Sequence, residues 1–185
     1  MMLCSVLGSG KSDEARQPMK LSDYELSLNS VGNGKGIATF FKSEKASHEI
    51  DVQKPRYQIT KLSTDEVDVF NIYRSKGADD LELMNTITSL INQKKTSIIC
   101  GDINACFVTE RNNHVTQMLE SIGFTQLVEW ATHYKGGHID HVYSNHDQTK
   151  FQVDVMMYSP YYTSKDHDAL CVTVRHCDRT RRNRR

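Results

Sequence analysis

The sequence predicts a sheet-based α/β protein in which short strands outnumber helices and alternate with them along the chain. Short stretches rich in β-branched and aromatic residues alternate apolar with polar positions, as half-buried strands do. Two other stretches repeat apolar residues every three or four positions, which is typical of helices with one buried face. No internal repeat is visible. The predicted strands are 37–41, 56–62, 67–73, 98–100, 138–143, 151–157 and 170–174.

Both predicted helices carry boundary signals. The first is expected to begin after Asp79, because Asp79 with Glu82 three residues later resembles a capping box. It is expected to end at the two lysines 94–95, whose charges suit the C-terminal end of a helix dipole. The second helix is predicted over about 113–122, with Gly123 as its C-terminal cap.

Length and composition indicate one soluble globular domain. A chain of 185 residues usually forms a single domain with a sizeable core. Its 38% hydrophobic and 25% charged content is ordinary for such a domain, and no apolar run reaches membrane-spanning length. The five cysteines are odd in number and form no C-x-x-C pair, which favours a reduced intracellular compartment without a zinc cage or disulfide framework. We therefore expect a nuclear or cytoplasmic location.

The two ends of the chain differ from its middle. We expect a domain over 21–174, preceded by a flexible leader, 1–20, and followed by a basic tail, 175–185. The tail holds six Arg and one Asp, so the other 174 residues carry a formal charge of −5. Such a tail can contact phosphates, act as a localisation signal, or stay solvated and disordered.

Two glycine-rich stretches resemble phosphate-binding loops but have simpler interpretations. Gly8 to Ser12 matches the end of a P-loop, yet Ser5 stands where that motif needs its first glycine. The simpler interpretation is that this segment belongs to the flexible leader. The stretch 32–36 could contact phosphate, but a hairpin turn before strand 37–41 accounts for it more simply.

Residues 97–105 give the strongest indication of a catalytic or cation-binding site. Its apolar residues 98–100 form a short buried strand in this interpretation, and Gly101 then permits a close approach by the backbone. Asp102 and Asn104 follow two residues apart, so extended backbone would direct them to the same side. Such a pair can bind a hard cation or hold and deprotonate a water, although it can also cap a turn.

Further acidic positions adjoin later apolar strands, namely Asp140, and Asp166 beside His167. Each has a structural alternative: Asp140 could pair with an arginine, Asp166 could cap a turn, and His141 and His167 could be ordinary histidines. Burying carboxylates near apolar strands is unfavourable unless they are paired or bind metal. Phosphodiester hydrolysis would use such a set, because it needs a cation, a group that activates water and a donor to the phosphoryl oxygens.

In their order, these motifs resemble those of the endonuclease/exonuclease/phosphatase superfamily. That superfamily has the DNase I-like fold and includes AP endonucleases and the endonuclease domains of non-LTR retrotransposons. Gly101-Asp-Ile-Asn104 resembles its Gly-Asp-Phe-Asn motif. Ile139-Asp-His-Val-Tyr143 resembles its later Ile-Asp-Tyr or Leu-Asp-His strand, and Ser164-Lys-Asp-His167 resembles its closing Ser-Asp-His.

Two upstream stretches fit the same order. Residues 69–73 resemble a strand that ends in Tyr before a loop, and 34–38 are similar to a Gly-Gly-Val-Ala hairpin. The resemblance extends over about 24–174 and is nearest to the retrotransposon-type and AP endonuclease-like domains. It implies a DNase I-like four-layer α/β/β/α sandwich with mixed, mostly antiparallel sheets.

The resemblance also implies a role for each site residue. Asp102 would activate the attacking water, and Asn104 would orient it. His167 would donate to the phosphate and would be held by Asp140, since a carboxylate favours the protonated form of a neighbouring histidine. Tyr73 would contact the phosphate, although a tyrosine in a strand also commonly packs in a core.

The implied cofactor is Mg²⁺ or Mn²⁺, with Asp102, Asn104 and Asp166 as ligands, and the implied partner is nucleic acid. The chain departs from the family where Lys165 stands in place of Ser, because its ammonium could bind phosphate or compete with the metal for Asp166. The family also begins with a strand that ends in Asn and a strand that ends in a metal-binding Glu. Neither strand is recognisable here, so the first strands and one metal ligand are expected to be missing.

Two functions from different classes follow from this resemblance. One is Mg²⁺-dependent phosphodiester hydrolysis of a nucleic acid. The other is a truncated, catalytically inactive remnant of a retrotransposon endonuclease domain that acts at most as a binding module. Neither Glu14 nor Glu25 ends an apolar strand, so neither is expected to replace the family's glutamate.

Overall fold

The computed structural model describes five stretches of the chain, residues 4–7, 22–32, 35–106, 114–158 and 167–177. The largest element in them is a six-stranded sheet. In spatial order its strands are β4 (Ser47–Gln53), β5 (Tyr57–Ser63), β6 (Val67–Arg74), β7 (Thr96–Asp102), β9 (Asp140–Ser144) and β8 (Thr125–Gln126). All neighbours are antiparallel except β6 and β7, which are parallel and therefore need a crossover connection.

Two helices cover one face of this sheet. The crossover between β6 and β7 contains α1 (Asp80–Leu90), and α2 (His114–Ser121) packs beside it. Apolar residues that recur at helical spacing meet every second residue of the strands, so both periodicities point into one core. Its largest buried side chains are Tyr57, Ile59, Phe70, Ile72, Leu83, Met84, Ile87, Ile99, Leu119 and Tyr143.

The predicted start of the first helix is confirmed, but its predicted end is wrong. The carboxylate of Asp79 accepts a hydrogen bond from the backbone nitrogen of Glu82 at 3.0 Å. The helix ends at Leu90, and its last turn holds no basic residue. Lys95 lies beyond the helix end, and its ammonium donates to the Ser63 hydroxyl at 2.7 Å and lies 3.5 Å from the Asp68 carboxylate.

A second sheet layer covers the other face in two pieces. One piece orders β1 (Cys4–Leu7), β3 (Lys35–Phe41) and β2 (Glu25–Gly32), and the other is the hairpin β10 (Phe151–Tyr158) with β11 (Ala169–His176). The first piece is held by Asn71, whose amide donates to the Thr39 hydroxyl at 2.9 Å. The second packs through apolar side chains, namely Val67, Val69, Ile98, Val142, Phe151, Val153, Val155, Leu170, Val172 and Val174.

The layers therefore run helices, six-stranded sheet, second sheets, and the predicted α/β sandwich with mostly antiparallel strands is confirmed. In the described stretches no helix covers the outer face of the second layer, so the predicted fourth layer is not found there. None of the described helices is both long and apolar enough to cross a membrane.

Four strands were not predicted from the sequence. They are β1, β2, β4 and β8. β4 is a mostly exposed edge strand of sequence SHEIDVQ, and β8 has only two residues. β1 lies inside the segment expected to be a flexible leader, where Cys4–Leu7 pair with 37–40 of β3.

Some of the remaining predictions of turns and segment boundaries fall on described residues, and the others lie outside them. β2 and β3 pair antiparallel up to Gly32 and Lys35, on either side of the predicted turn, and β11 continues two residues into the predicted tail. Gly123 caps α2 at a φ of +89°, as predicted. The P-loop-like residues 8–12 and the tail beyond residue 177 lie outside the described residues. Cys100, Cys106, Cys171 and Cys177 are not joined by disulfide bonds.

Candidate active site

Four polar side chains form a row across one end of the six-stranded sheet. Gln58 of β5 pairs with Tyr73 of β6, Tyr73 with Asp102 of β7, and Asp102 with Asp140 of β9. Strand partners in register share a face, so the row lies on the face that carries the second sheet layer. The predicted residues Tyr73, Asp102 and Asp140 are thus brought together. Gln58 was missed, because a glutamine inside a strand with mixed faces gives no signal.

Asn104 is also brought to Asp102, but not by extended backbone as predicted. β7 ends at Asp102, and Asn104 adopts a left-handed φ of +52°, a region that asparagine tolerates better than most residues. Its backbone nitrogen donates to Asp102 Oδ1 at 2.9 Å, and its amide donates to Asp102 Oδ2 at 3.0 Å and to the Arg74 carbonyl at 2.8 Å. Asn104 therefore fixes both oxygens of the carboxylate.

The close approach predicted at Gly101 is confirmed. Gly101 has a φ of +134°, and a Cβ built on it would lie 2.0 Å from the carbonyl oxygen of Ile72 on the neighbouring strand. Only glycine avoids this collision. Gly101 therefore lets β7 pair closely with β6 directly before Asp102.

Burial and charge both act on Asp102. The residue is 6% exposed, and this loss of hydration, followed by the negative charge of Asp140, raises its pKa to about 7. The hydrogen bonds from Asn104 and the nearby His167 oppose the increase without cancelling it. Burial and the charge of Asp102 also raise the pKa of Tyr73, so its phenol keeps its proton at neutral pH.

His167 joins the row from the far end of the chain. Its Nδ1 donates to Asp140 Oδ2 at 2.9 Å, and this bond fixes the orientation of the ring. Nδ1 of His167 is thereby occupied by the bond to Asp140. The predicted grouping of Asp140 with His167 is present, although 27 residues separate them.

Thr132 holds both members of that pair and gave no sequence signal. Its side chain is fully buried, and its hydroxyl accepts hydrogen bonds from the backbone nitrogens of Asp140 at 3.0 Å and Ile139 at 3.3 Å. Its carbonyl oxygen accepts from the nitrogen of Asp168, next to His167, at 2.8 Å. One residue therefore positions both strand ends.

His141 lies on the opposite face of β9 and supports the site from behind. Its Nε2 donates to the Ala105 carbonyl at 2.8 Å, so Nδ1 of the neutral ring accepts from Gln126 Nε2 at 2.6 Å. Burial lowers its pKa to about 4, which keeps the ring neutral at physiological pH. It is therefore a core histidine, one of the two alternatives open from the sequence.

One predicted metal ligand cannot be placed with this group, and neither can Lys165 or the two glutamates that were not expected to belong to it. Asp166 and Lys165, and with them the third expected metal ligand, lie outside the described residues, as does Glu14. Glu25 begins β2 opposite Phe41 and is exposed.

The donor chemistry of the row is suited to a hard cation. Mg²⁺ usually binds through one or two carboxylates together with substrate phosphates and waters. Asp102 supplies a buried carboxylate, and a cation would relieve the unfavourable burial of its charge. Over the described stretches, however, no three His, Cys, Asp or Glu side chains are grouped to hold a metal ion without a substrate.

No protein-family model matches the sequence, and no curated protein matches it. Solved structures do match the fold. A mannosyl-6-phosphatase of Bacteroides thetaiotaomicron gives a TM-score of 0.59 at 13% identity, over 83% of this chain and 78% of that one. The endonuclease domain of TRAS1, a telomere-specific non-LTR retrotransposon, gives 0.58 at 13% identity, over 82% and 79%. An AP endonuclease from Archaeoglobus fulgidus gives 0.58 at 13% identity, over 83% and 79%.

The two sheet layers, the helices and the polar row define an α/β sandwich with a site at one sheet end. The chain has a DNase I-like fold, which it shares with solved structures of a retrotransposon endonuclease, an endonuclease/exonuclease/phosphatase family protein and an AP endonuclease. Proteins with this fold include both nucleases and a sugar phosphatase, so the substrate has to be argued from the site.

Proposed function

We propose that this chain hydrolyses phosphodiester bonds in nucleic acid, as an endonuclease. The observation that carries the proposal is the meeting of Asp102, Asp140 and His167 at one sheet end, from three separate parts of the chain. Carboxylates are rarely buried side by side without a reason, because their mutual repulsion destabilises the fold. Similarity to a retrotransposon endonuclease and an AP endonuclease supports the nucleic acid substrate.

Each residue has a chemical task in this proposal. Asp102, held by Asn104, accepts a proton from the attacking water, whose oxygen forms the new bond to phosphorus as the bond to the leaving oxygen breaks. His167, oriented by Asp140, donates from Nε2 to a phosphate oxygen and stabilises the developing charge. The phenol of Tyr73 donates a hydrogen bond to the same phosphate.

A divalent cation, Mg²⁺ or Mn²⁺, would be held by Asp102 and Asn104, with Asp166 as a further ligand. When bound, it would neutralise phosphate charge in the transition state. Asp140 is assigned to His167 by the 2.9 Å hydrogen bond and is therefore not proposed as a ligand.

A nicking assay tests the proposal. Supercoiled plasmid and abasic-site DNA are incubated with the full chain in Mg²⁺, in Mn²⁺ and in EDTA. The variants are Asp102→Ala, His167→Ala and Asp140→Asn, with Asp65→Ala and His146→Ala as matched controls away from the row. We expect metal-dependent cleavage that falls by about 10²–10⁴-fold in each of the three site variants and is unchanged in both controls.

The alternative function, a binding module without catalysis, predicts no metal-dependent cleavage by the wild type. Equal background cleavage by the wild type and all variants, with unaltered DNA affinity, would reject hydrolysis and leave only binding. A substrate panel that includes a sugar phosphate separates phosphodiesterase from phosphatase activity. Cleavage of the monoester alone would reject the nucleic acid assignment.

A further inference from the structure

A tight turn beside His167 takes no part in the proposed hydrolysis. It spans 133–136 and closes through a hydrogen bond from the Gly136 nitrogen to the His133 carbonyl at 2.8 Å. Gly136 has a φ of +78°, and the His133 nitrogen donates to the Gly137 carbonyl at 2.9 Å. These bonds hold the two central residues, Tyr134 and Lys135, at the tip of the turn.

Tyr134 is presented to solvent. It is 63% exposed and is the most exposed large apolar side chain of the described stretches, and the only aromatic among the exposed ones. Single exposed apolar residues are common and need no explanation by themselves. Tyr134 is of interest because it lies beside the candidate active site.

The ring of Tyr134 is linked to the site by a short chain of aromatic contacts. Its centroid lies 4.8 Å from that of His133, which lies 5.0 Å from that of His167 in an edge-on arrangement. His133 and His167 are also paired through their backbones in an isolated bridge. Tyr134 is therefore no farther from His167 than these two ring separations together, which puts it at the rim of the site.

Positive charge accompanies the ring. The ammonium of Lys135 lies 5.2 Å from the Tyr134 centroid. An exposed aromatic ring beside a cation is the combination with which proteins bind unpaired nucleotides, because the base stacks on the ring while the ammonium attracts the phosphate. A stacked base also has no need of a deep pocket.

We propose that Tyr134 is a stacking platform for an unpaired nucleobase next to the scissile phosphate, with Lys135 contacting the neighbouring backbone. This inference rests on the proposed function, since it assigns the substrate a single-stranded or locally unpaired segment. Tyr134 would set affinity and substrate preference rather than perform chemistry.

Binding in EDTA tests the inference without requiring cleavage. The affinity of the full chain for a labelled single-stranded oligonucleotide is measured by fluorescence anisotropy, alongside a base-free oligomer with the same sugar-phosphate backbone. We expect Tyr134→Ala to weaken binding of the normal oligonucleotide by about tenfold, and Tyr134→Phe to leave it unchanged. On the base-free oligomer, wild type and Tyr134→Ala should bind equally. Lys135→Gln should reduce the slope of log affinity against log salt by about one.

A matched control exists at the other end of the molecule. Tyr24 has Lys42 5.3 Å from its ring centroid, and the adjoining Phe41 stacks on His48 at the end of β4 away from the site. Tyr24→Ala should leave both affinities unchanged. An equal loss in Tyr24→Ala and Tyr134→Ala would overturn the inference.

The outcomes separate the inference from the proposed function. If the wild type cleaves DNA but Tyr134→Ala keeps full affinity for the normal oligonucleotide, the platform is rejected and hydrolysis stands. Equal weakening on the normal and base-free oligomers would also reject it, because the contact would then be to sugar or phosphate. If no variant cleaves but the base-dependent loss is found, the platform stands and hydrolysis fails.

Discussion

Asp102 and Asp140 face each other as partners on the antiparallel strands β7 and β9, and Asp102 is almost completely buried there. Their repulsion adds to the loss of hydration, and together these raise the pKa of Asp102 to about 7. The site is therefore built at the expense of stability, which is a common property of active sites.

Replacement of Asp102 by Asn should remove the unfavourable burial of charge at this position. The folded state holds the Asp102 proton more tightly than the unfolded chain, so the contribution of Asp102 to the free energy of unfolding falls as pH rises from about 4 to 7 and is then constant. Asp102→Asn removes that dependence. We expect its free energy of unfolding, relative to wild type, to rise by about 2–4 kcal/mol between pH 4 and pH 8 in urea titrations. The exposed Asp65→Asn should show no such change, and a flat difference for Asp102→Asn would contradict the assigned pKa.

Replacement of Thr132 by Val should loosen the site with little change in side-chain size. The buried backbone nitrogen of Asp140 and the partly buried one of Ile139 would lose their acceptor, and loss of a buried partner costs about 1–3 kcal/mol. We expect a lower Tm, and a lower kcat when activity is measured well below the unfolding transition. Thr132→Ser keeps the hydroxyl and should recover most of both, whereas equal loss in Val and Ser variants would show that the methyl group matters instead.

Protonation of His141 should destabilise the protein in acid. Its pKa falls from 6.5 in the unfolded chain to about 4 in the folded one, so stability is lost as pH decreases across that window. We expect wild type to lose about 3 kcal/mol more than His141→Phe between pH 7 and pH 4, measured by urea unfolding. His114→Phe, at an exposed histidine, serves as the control. Parallel curves for wild type and His141→Phe would refute the assignment.

Replacement of Gly101 by Ala should prevent normal folding. The new Cβ would lie 2.0 Å from the Ile72 carbonyl oxygen, so the parallel pair β6–β7 would have to separate. We expect the free energy of unfolding to fall by more than about 4 kcal/mol. Thermal unfolding followed by circular dichroism would show this as a much lower Tm. Gly123 also has positive φ but nothing within 4 Å of its Cβ position, so Gly123→Ala should cost only about 1 kcal/mol. Similar melting of the two variants would mean that strain, not collision, matters at Gly101.

The strand ends and the order of the motifs could be predicted from the sequence. Apolar runs that stop at Asp102 and Asp140 signalled polar groups at the ends of buried strands, and the Asp79 cap marked the crossover helix. These signals are local, because they depend on residues within one turn or one strand. The left-handed backbone of Asn104 was not foreseen, since extended and left-handed continuations place the same two side chains near each other.

The positioning groups could not be predicted in the same way. Thr132 and His133 lie in a stretch without periodicity, and their contacts with Asp140 and His167 form only after folding. His141 illustrates the same limit, because strand register alone decided that it faces the helices while its neighbour Asp140 faces the site.

The sequence by itself determined which residue types stand at the strand ends, and hence the fold class and the phosphate chemistry that they suggest. Only the tertiary structure decided that β6, β7 and β9 align so that Tyr73, Asp102 and Asp140 share one row. The physical reason is that hydrophobic periodicity specifies which face of each strand is buried, whereas the register between strands distant in sequence is selected by packing of the whole core.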